Sequence, residues 1–520
     1  MPWKRVNEFA LVVLLACTAT WGACGQLPPA APPGSLVIAF ESAPTTLDPR
    51  YATDEKGSLI GELIHHGLTR RDHTGARVPD LAASWTVEAA TRWTFRLREG
   101  LRFHDGSPVT AADVQATYES IRDPAMGSPK RASLAPVANI ESPDPHTVVF
   151  SLRYPFAPFL DVTDIGILPK AYARSGQRNV TVGSGPFRLA RFARDRDILL
   201  LPVDGHPDGT PRLPGILFSI VPDDTVRALE LQQGTVHLVQ NAIDPDMLPW
   251  LARQPHLRVV SVPGTTFHYL GLNLRDPALG KRAVRQAIAL AIDREAIIRH
   301  LLEGYATPAS GLLAPGHWAY NARVRMYPHD LARAAALLDA AGYPDPDGPG
   351  PRPRLRLLYK GSTQQLRRRL AEALQAQLAE VGIALDLRSY EWGTLYADIR
   401  RGHFQVYALA WVGISDPDIY YTIFHSSMVP PLGNNRGGYV DHVVDALSVA
   451  GRRQLDEANR RHIYAALQRR VARTVPIIPL WWTPTVVVQI RRLHGFEAQP
   501  DGSLRSLTHA WLDPEIEDRA

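Results

Sequence analysis

Residues 93–114 (WTFRLREGLRFHDGSPVTAADV) specify three local structures in succession. Apolar side chains occupy every second position from Trp93 to Leu97, which predicts a strand with one buried face. The HDGSP segment that follows is typical of a turn, because glycine tolerates positive φ and proline presets its own φ. Thr110 then stands where its hydroxyl can cap a helix that carries Asp113 in its first turn. A strand, a turn and a capped helix in this order occur in many α/β proteins, so the order alone identifies no function.

A second α/β pattern lies late in the chain. Residues 354–359 (RLRLLY) predict a strand, and leucines then repeat at four-residue spacing along one face of a helix. Gly382 stops this helix, and residues 383–387 alternate as the next strand. This unit predicts two parallel strands joined by a right-handed crossover.

Two further segments support an α/β fold class. Residues 36–40 (LVIAF) form an apolar run of the kind that is buried in the core of a sheet. Residues 281–302 predict one helix with an apolar side, and Gly304 follows its end.

The sequence of residues 93–114 resembles the signature of the bacterial family 5 extracellular solute-binding proteins, the peptide-binding components of ABC importers. The resemblance covers about residues 36–495 and implies the fold of periplasmic binding proteins, with two main α/β lobes around a hinged cleft and an extra inserted subdomain. Five other segments resemble the same family in matching order: PTTLDP at 44–49, PDLAASWTV at 79–87, GSGPF at 183–187, VRQAIALAID at 284–293 and VPIIPLW at 475–481.

A chain of 520 residues is too long for one compact core, so several lobes are expected. The resemblance implies that two crossings join the main lobes and form the hinge. The expected parts are a signal peptide at 1–23, a tether next to the lipid at 24–35, a first lobe at 36–75, 183–274 and 482–520, an inserted subdomain at 76–182 and a second lobe at 275–481.

The N-terminus is typical of a secretory signal. Two basic residues precede the apolar residues 9–16 (FALVVLLA), a run too short to span a bilayer as a mature helix. Cys24 and its neighbours resemble the end of a lipobox, in which the cysteine becomes the lipidated first residue, although Trp21 stands where that motif prefers leucine. Cys17 is the rival lipidation site, and a cleaved signal without lipid is the third alternative. Because the chain has only these two cysteines, no disulfide can join the lobes.

The charge of the chain does not indicate a nucleic-acid partner. The formal net charge is +5, but only six of the 57 basic residues are lysine, and the arginines are scattered among acidic residues. A general substitution bias produces such a pattern, and no aromatic residues interleave with the longest basic run.

The sequence carries no catalytic or metal-binding motif. There is no G-x-S-x-G, no H-E-x-x-H, no G-x-x-x-x-G-K-[ST], and no G-x-G-x-x-G after a strand. His65 and His66 are adjacent, so their side chains point apart on a helix or a strand, which disfavours a shared metal ion. We therefore expect neither an enzyme nor a cofactor. A secreted hydrolase on a similar α/β scaffold is the alternative from a different class.

The candidate ligand-binding residues lie mainly in the second lobe. Trp392 follows the second strand of the late βαβ unit, at the carboxyl end where open α/β sheets place ligands. Trp411 ends another apolar strand, and core packing is the alternative role for each tryptophan. The resemblance implies that both flank ligand side chains, because peptide binders of the family carry tryptophan at these positions. The full set is Trp392, Trp411, Asp416, Tyr269, Asn435, Arg436 and Thr46.

The glycine-rich loop 433–439 (GNNRGGY) has two alternative roles. Its asparagine and arginine side chains either reach a ligand or belong to a plain turn.

Three positions depart from the pattern that the resemblance implies. Ile414 stands where well-studied members carry an aspartate that holds the α-ammonium of the peptide. Ile399 and Ala408 stand where some oligopeptide binders carry basic residues that meet the peptide carboxylate. Either Asp416 is the substitute partner for the ammonium, or the partner is missing and the solute is not a simple peptide. The second alternative is supported by the Asp-Pro-Asp segment, which also fits a turn that hydrogen-bonds its own backbone. The alternative sources of positive charge are Arg400, Arg401 and Arg436.

These observations predict a receptor that binds a peptide or peptide-like solute by lobe closure and delivers it to an ABC permease in the cytoplasmic membrane. The alternative on the same fold is a non-peptide ligand, namely an oligosaccharide, a nickel chelate or haem. We expect a monomer that is lipid-anchored in the periplasm or at the outer face of the cell membrane.

Overall fold

The computed structural model describes residues 30–72, 75–348 and 350–514. The predicted signal peptide, both cysteines and the first half of the predicted tether lie outside these ranges. Among the described residues, no helix combines the length and the apolar character needed to cross a bilayer.

The strands are numbered along the chain. They are β1 (Leu36–Phe40), β2 (Thr69–Arg71), β3 (Arg77–Pro79), β4 (Ala82–Glu88), β5 (Arg92–Leu97), β6 (Val137–Asp144), β7 (Thr147–Leu152), β8 (Phe187–Ala193), β9 (Asp197–Pro202), β10 (Ile216–Ile220), β11 (Leu238–Gln240), β12 (Leu257–Leu272), β13 (Thr307–Pro308), β14 (Leu355–Ser362), β15 (Ile383–Tyr390), β16 (Val406–Trp411), β17 (Ile477–Ile490), β18 (Leu493–His494) and β19 (Trp511–Leu512).

The α-helices are numbered in the same way. They are α1 (Glu55–Ile64), α2 (Ala111–Arg122), α3 (Lys170–Arg174), α4 (Asp224–Gln233), α5 (Leu248–Ala252), α6 (Arg282–Ala291), α7 (Arg294–Leu301), α8 (Leu331–Ala340), α9 (Gln365–Ala379), α10 (Trp392–Arg401), α11 (Ile419–Phe424), α12 (His442–Arg453) and α13 (Glu457–Thr474).

One mixed sheet runs through the molecule in the order β15-β14-β16-β12-β17-β11-β1-β10-β9-β8, and β13 pairs with β17 at its side. We call the half built on β1 and β8 to β11 the first lobe, and the half built on β14 to β16 the second lobe. The long strands β12 and β17 pair antiparallel from Leu257 opposite Ile490 to Gly271 opposite Ile477. One end of this pair packs in the apolar core of the first lobe and the other end in that of the second, so β12 and β17 connect the two lobes.

The segment that opened the sequence analysis belongs to a separate four-stranded antiparallel sheet, β4-β5-β7-β6. The predicted strand and helix are β5 and α2, and the carboxylate of Asp113 accepts the backbone N–H of Thr110 at 2.8 Å, as expected for a capped helix start. A core of its own, which contains Trp93, covers one face of this sheet. The late βαβ unit is also confirmed, since β14 and β15 are parallel and α9 connects them.

The prediction of a single helix over 281–302 is wrong. Helix α6 ends at Ala291 and a second helix, α7, begins at Arg294. The carboxylate of Asp293 accepts the N–H of Ala296 at 2.9 Å and so caps the new helix, while Arg294 donates to the carbonyls of Ala289 and Ile292. The apolar period continues across the break, so the sequence pattern did not reveal it.

Gly183 lies where the chain returns from the four-stranded sheet to the first lobe. A Cβ atom at this position would lie 2.0 Å from the carbonyl oxygen of Ile64 at the end of α1, whereas a Cβ at Gly61 within α1 meets no atom within 4 Å. We expect Gly183→Ala to lower the free energy of unfolding by about 2 kcal/mol through overpacking. Gly61→Ala is the matched control and should raise it by roughly 0.5–1 kcal/mol, because alanine is the better helix former. Urea unfolding followed by circular dichroism measures both, and equal stability of the two variants would contradict this packing.

Candidate functional site

The carboxyl ends of three parallel strands meet at one edge of the second lobe. Strand β14 pairs with β15 on one side and with β16 on the other, so the residues that follow these strands are neighbours. Trp392 begins the helix after β15, and Trp411 is the last residue of β16. The neighbouring strand β12 places Phe267 opposite Trp411, and beyond this pair β12 continues towards the first lobe.

Aromatic rings connect the two predicted tryptophans. Trp392 is 56% exposed and stacks on Tyr396, with ring centroids 5.3 Å apart. The guanidinium of Arg436 lies 5.3 Å from the ring of Tyr396 and 5.1 Å from that of Trp411. A row of aromatic and cationic groups therefore runs from the surface to the end of β16.

Arg436 is the buried charge of this row. Its guanidinium donates to the phenol oxygens of Tyr269 at 3.0 Å and Tyr396 at 3.4 Å, and to the side chain of Asn434 at 3.3 Å. Burial acts to lower the pKa of Arg436, but the tyrosines outweigh it and the pKa is raised, so the group stays charged. Within the described ranges, no carboxylate forms a salt bridge with it.

Two buried donors of this row have no partner within the described part of the chain. They are the indole N–H of Trp411 and the Nε of Arg436. Buried polar groups are nearly always hydrogen-bonded, so unpaired donors beside a positive charge favour an acceptor, and above all an anion, from a bound solute. We call Trp392, Tyr396, Trp411, Tyr269 and Arg436 the aromatic cluster.

Asn435 supports the loop that carries Arg436. Its side chain accepts the backbone N–H of Tyr439 at 2.8 Å and donates to the carbonyls of Tyr439 and His425. All its polar atoms are therefore engaged in shaping the loop.

The carboxylate of Asp416 does not join the aromatic cluster. Arg460 binds it through both oxygens, at 2.6 and 2.7 Å, and Asp418 likewise pairs with Arg452 at 3.0 Å. Burial, followed by the nearby Asp161, raises the pKa of Asp416 to about 6 despite Arg460. Ile414, at the position where the resemblance implies an aspartate, is buried.

Thr46 lies in the first lobe, after β1. Its hydroxyl donates to the side chain of Asn179 at 3.0 Å and accepts the backbone N–H of Asp48. Arg400 and Arg401 are exposed in the last turn of α10, at the opposite end from Trp392. Of the seven predicted residues, the structure thus brings together four, namely Trp392, Trp411, Tyr269 and Arg436.

Sequence reasoning missed Tyr396 and the ion pairs that Arg369 of α9 forms with the first lobe. Tyr396 lies four residues after Trp392 on a helix, a spacing that places two side chains on one face and could have revealed the pair. Arg369 binds Asp244 at 2.7 Å and also Asp246, both in the first lobe. No local pattern indicates this contact, because it joins residues more than 120 positions apart.

One group of possible metal ligands exists within the described residues. His66, His206 and Asp208 each bring one donor atom within 4.8 Å of the others. The donors of two of the three residues are already engaged: both nitrogens of His206 bond to the backbone, and Arg98 binds Asp208 at 2.7 Å. A metal ion would have to displace these bonds.

A family model for the bacterial extracellular solute-binding proteins, family 5 (middle region), matches residues 76–429. This chain belongs to that family. Family 5 proteins are the solute receptors of ABC importers and act outside the cytoplasmic membrane, so the predicted family and its function in solute capture are confirmed.

Relatives of known structure or function agree with this membership. The glutathione-binding protein GsiB of Escherichia coli K12 is 28% identical over 513 residues, which cover 96% of this chain and 98% of GsiB. DppA from Helicobacter pylori, in complex with the peptide STSA, matches with a TM-score of 0.81 at 26% identity over 92% of this chain and 98% of that chain. AgaA from A. tumefaciens R10, in complex with agropinic acid, matches with a TM-score of 0.79 at 27% identity over 92% and 99%. These relatives are solute-binding proteins by name or by their bound ligand, and the predicted fold of two lobes with an inserted subdomain is confirmed.

Arg460→Met tests whether the carboxylate of Asp416 depends on its pair. Without Arg460 the buried carboxylate has no counter-charge, so we expect the free energy of unfolding to fall by about 3 kcal/mol at pH 8. The folded-state pKa of Asp416 lies above its ordinary value, so its ionised form weakens the fold as the pH rises through that pKa; the loss should be smaller at pH 5, where the group is protonated. Arg461→Met, which removes an exposed pair with Glu457, is the control and should change stability by less than about 0.5 kcal/mol. An equal loss at both pH values would contradict the assignment.

Proposed function

We propose that this protein captures a peptide or peptide-like solute for an ABC permease, and that Arg436 receives a carboxylate of that solute. The observation that carries the proposal is a buried guanidinium that has aromatic and phenolic neighbours but no carboxylate partner in the described chain. A solute carboxylate would supply the missing counter-charge and could accept from the indole of Trp411 as well.

The aromatic rings fit a flat or extended solute. Trp392 and Trp411 stand at the two ends of the row that contains Arg436, and their large, rigid surfaces bind with little loss of conformational entropy. Because the ligand would meet both lobes only after they close, its binding shifts the hinge equilibrium towards the closed form that a permease engages.

The amine of the solute is not a required anchor in this proposal. Ile414 occupies the expected ammonium position and Arg460 already holds Asp416, so a free ammonium would have to compete with a bidentate ion pair. This arrangement favours solutes whose amine is blocked or absent. Acidic compounds other than simple peptides are therefore the second candidate class, and AgaA supplies agropinic acid as a probe of that kind. GsiB supplies glutathione, a γ-linked acidic tripeptide whose α-amino group is free, as the comparison.

Capture from a defined mixture tests the proposal. We expect the purified receptor to retain members of a mixture of di- and tripeptides, glutathione and agropinic acid, with N-acetylated peptides retained as well as free ones; native mass spectrometry identifies them. Turnover of the peptides would instead support the secreted-hydrolase alternative, and tight binding that acetylation abolishes would contradict the proposed absence of an ammonium anchor.

Arg436→Gln should weaken binding of the retained solute by about 2 kcal/mol or more, because a charged hydrogen bond in a desolvated site is lost. Trp411→Ala should cost a similar amount as the loss of an aromatic anchor. Arg400→Gln, an exposed arginine of the same lobe, is the control and should leave affinity unchanged. Isothermal titration calorimetry measures all three, and unchanged affinity of the Arg436 variant would refute its assigned role.

We also propose that Cys24 is lipidated and becomes the mature N-terminus, which would hold a monomeric receptor at the membrane surface. A diacylglyceryl cysteine with an additional acyl chain provides stable attachment. Intact mass after detergent extraction should show the lipid on the wild type and on Cys17→Ser, and its loss on Cys24→Ser. Loss of the lipid in Cys17→Ser but not in Cys24→Ser, or an unmodified wild-type chain, would contradict this assignment.

A further inference from the structure

Arg367 is a second unpaired cation at the same end of β16. It lies in the first turn of α9, which follows β14, and its Nη1 donates to the Nδ1 of His268 at 3.2 Å. His268 lies on β12 opposite Ala410, the residue before Trp411. Arg367 therefore lies on the face of the sheet opposite Trp411, one position away along β12 and β16.

The protonation state of His268 fixes the direction of this bond. Burial, and then the charge of Arg367, hold the pKa of His268 well below its ordinary range, so the imidazole is neutral. Its Nδ1 accepts from Arg367, and its Nε2 faces the hydroxyl of Thr483 on β17 at 3.3 Å. His268 thus positions the guanidinium without neutralising its charge.

Three other buried or half-buried arginines of the second lobe have several partners in the protein. Arg285 and Arg294 each make four hydrogen bonds to main-chain carbonyls, and Arg460 has a carboxylate. Arg367 shows one hydrogen bond to a neutral ring, and no acidic residue of the described ranges forms a salt bridge with it. Burial lowers its pKa, and Tyr359 is the group that acts in the opposite direction.

The first turns of α9, which carry Arg367, lie beside the first lobe. Arg369, two residues further along α9, binds Asp244 and Asp246 of the first lobe. Strand β16 ends at Trp411, while β12 continues towards the first lobe, so among the described residues the side of β12 that pairs with β16 is free of a partner strand beyond Phe267. Arg436 approaches from the face of Trp411 and Tyr269, and Arg367 from the opposite face, because successive strand residues point to opposite sides.

We propose that Arg367 binds a second acidic group of the solute, so that this receptor selects ligands with two anionic groups. The inference rests on the proposed function, in which Arg436 takes the first. For a peptide, the two groups are the terminal carboxylate and the carboxylate of an aspartate or glutamate side chain.

A dipeptide mixture separates this inference from the proposed function. The purified receptor is incubated with an equimolar mixture of Ala-Xaa dipeptides, and the retained peptides are quantified by mass spectrometry. We expect Ala-Asp and Ala-Glu to be enriched at least about tenfold over Ala-Asn and Ala-Gln in the wild type, since each pair differs by one charge. Arg367→Gln should abolish this preference, and Arg367→Lys, which keeps the charge but not the fork geometry, should retain part of it.

Arg368→Gln is the matched control. Arg368 is the next residue of α9, is exposed, and carries the same charge, so its removal should leave the enrichment unchanged. Retention of dipeptides without acidic enrichment in the wild type would overturn the inference while the proposed function stands, as would an enrichment that survives in Arg367→Gln. Retention of no dipeptide would overturn the inference, and it would overturn the proposed function as well if the receptor also retains no tripeptide, glutathione or agropinic acid. If the Arg367 variants fail to fold, the wild-type protein still tests the inference, because absence of acidic enrichment in the wild type contradicts selection for two anionic groups.

Discussion

The antiparallel pairing of β12 with β17 is the constraint on which the site depends. This pair passes from the core of the first lobe into that of the second, so it carries both halves of the sheet and sets the position of everything beside it. Gly271 of β12 shows how closely the side chains of the adjacent strand pack against this backbone. A Cβ atom there would lie 2.1 Å from the ring of Tyr407 on β16, so the ring lies directly on the backbone. Tyr407 then packs edge-on against Tyr269, which receives a hydrogen bond from Arg436. The backbone that connects the lobes thus fixes the orientation of the Arg436 guanidinium through these packed rings.

A buried cation without a carboxylate is costly to keep, since desolvation of an ion amounts to several kcal/mol even after relaxation. Phenol oxygens and ring faces offset part of this cost for Arg436, but they bring no net negative charge. The uncompensated part of this desolvation cost is recovered when a ligand supplies a negative charge, so it adds to the affinity for that ligand. Only interactions that are gained in the closed state can shift the hinge equilibrium. The ion pair between Arg436 and a bound solute would be such an interaction in a molecule that closes around its solute.

The sequence predicted those parts of the fold that repeat at short range. The alternation in β5, the leucines of α9 and the tryptophan that ends β16 each reflect a local period, and the structure has them where expected. The break at Asp293 was missed because the apolar period continues through it. The pair of Asp416 and Arg460 joins residues 44 positions apart, and the bond from Arg436 to Tyr269 spans 167 positions. Such partners are chosen by the packing of α13 and β12 around the site, and no spacing rule reports them.

The distribution of carboxylates explains how one scaffold can change its preferred solute. In this chain the acidic groups near the edge of β16 are used for structure: Arg460 holds Asp416, Arg452 holds Asp418, and Lys360 holds Asp398 at 2.6 Å. Isoleucine stands at 414, where the family pattern has an aspartate. Within the described chain, the edge of β16 therefore has guanidinium groups without a carboxylate partner, whereas the three carboxylates named above are already paired. An amine that enters the cleft meets paired carboxylates, whereas an acid meets unpaired guanidinium groups. Selectivity therefore follows less from the shape of the lobes than from which charges the protein has already neutralised.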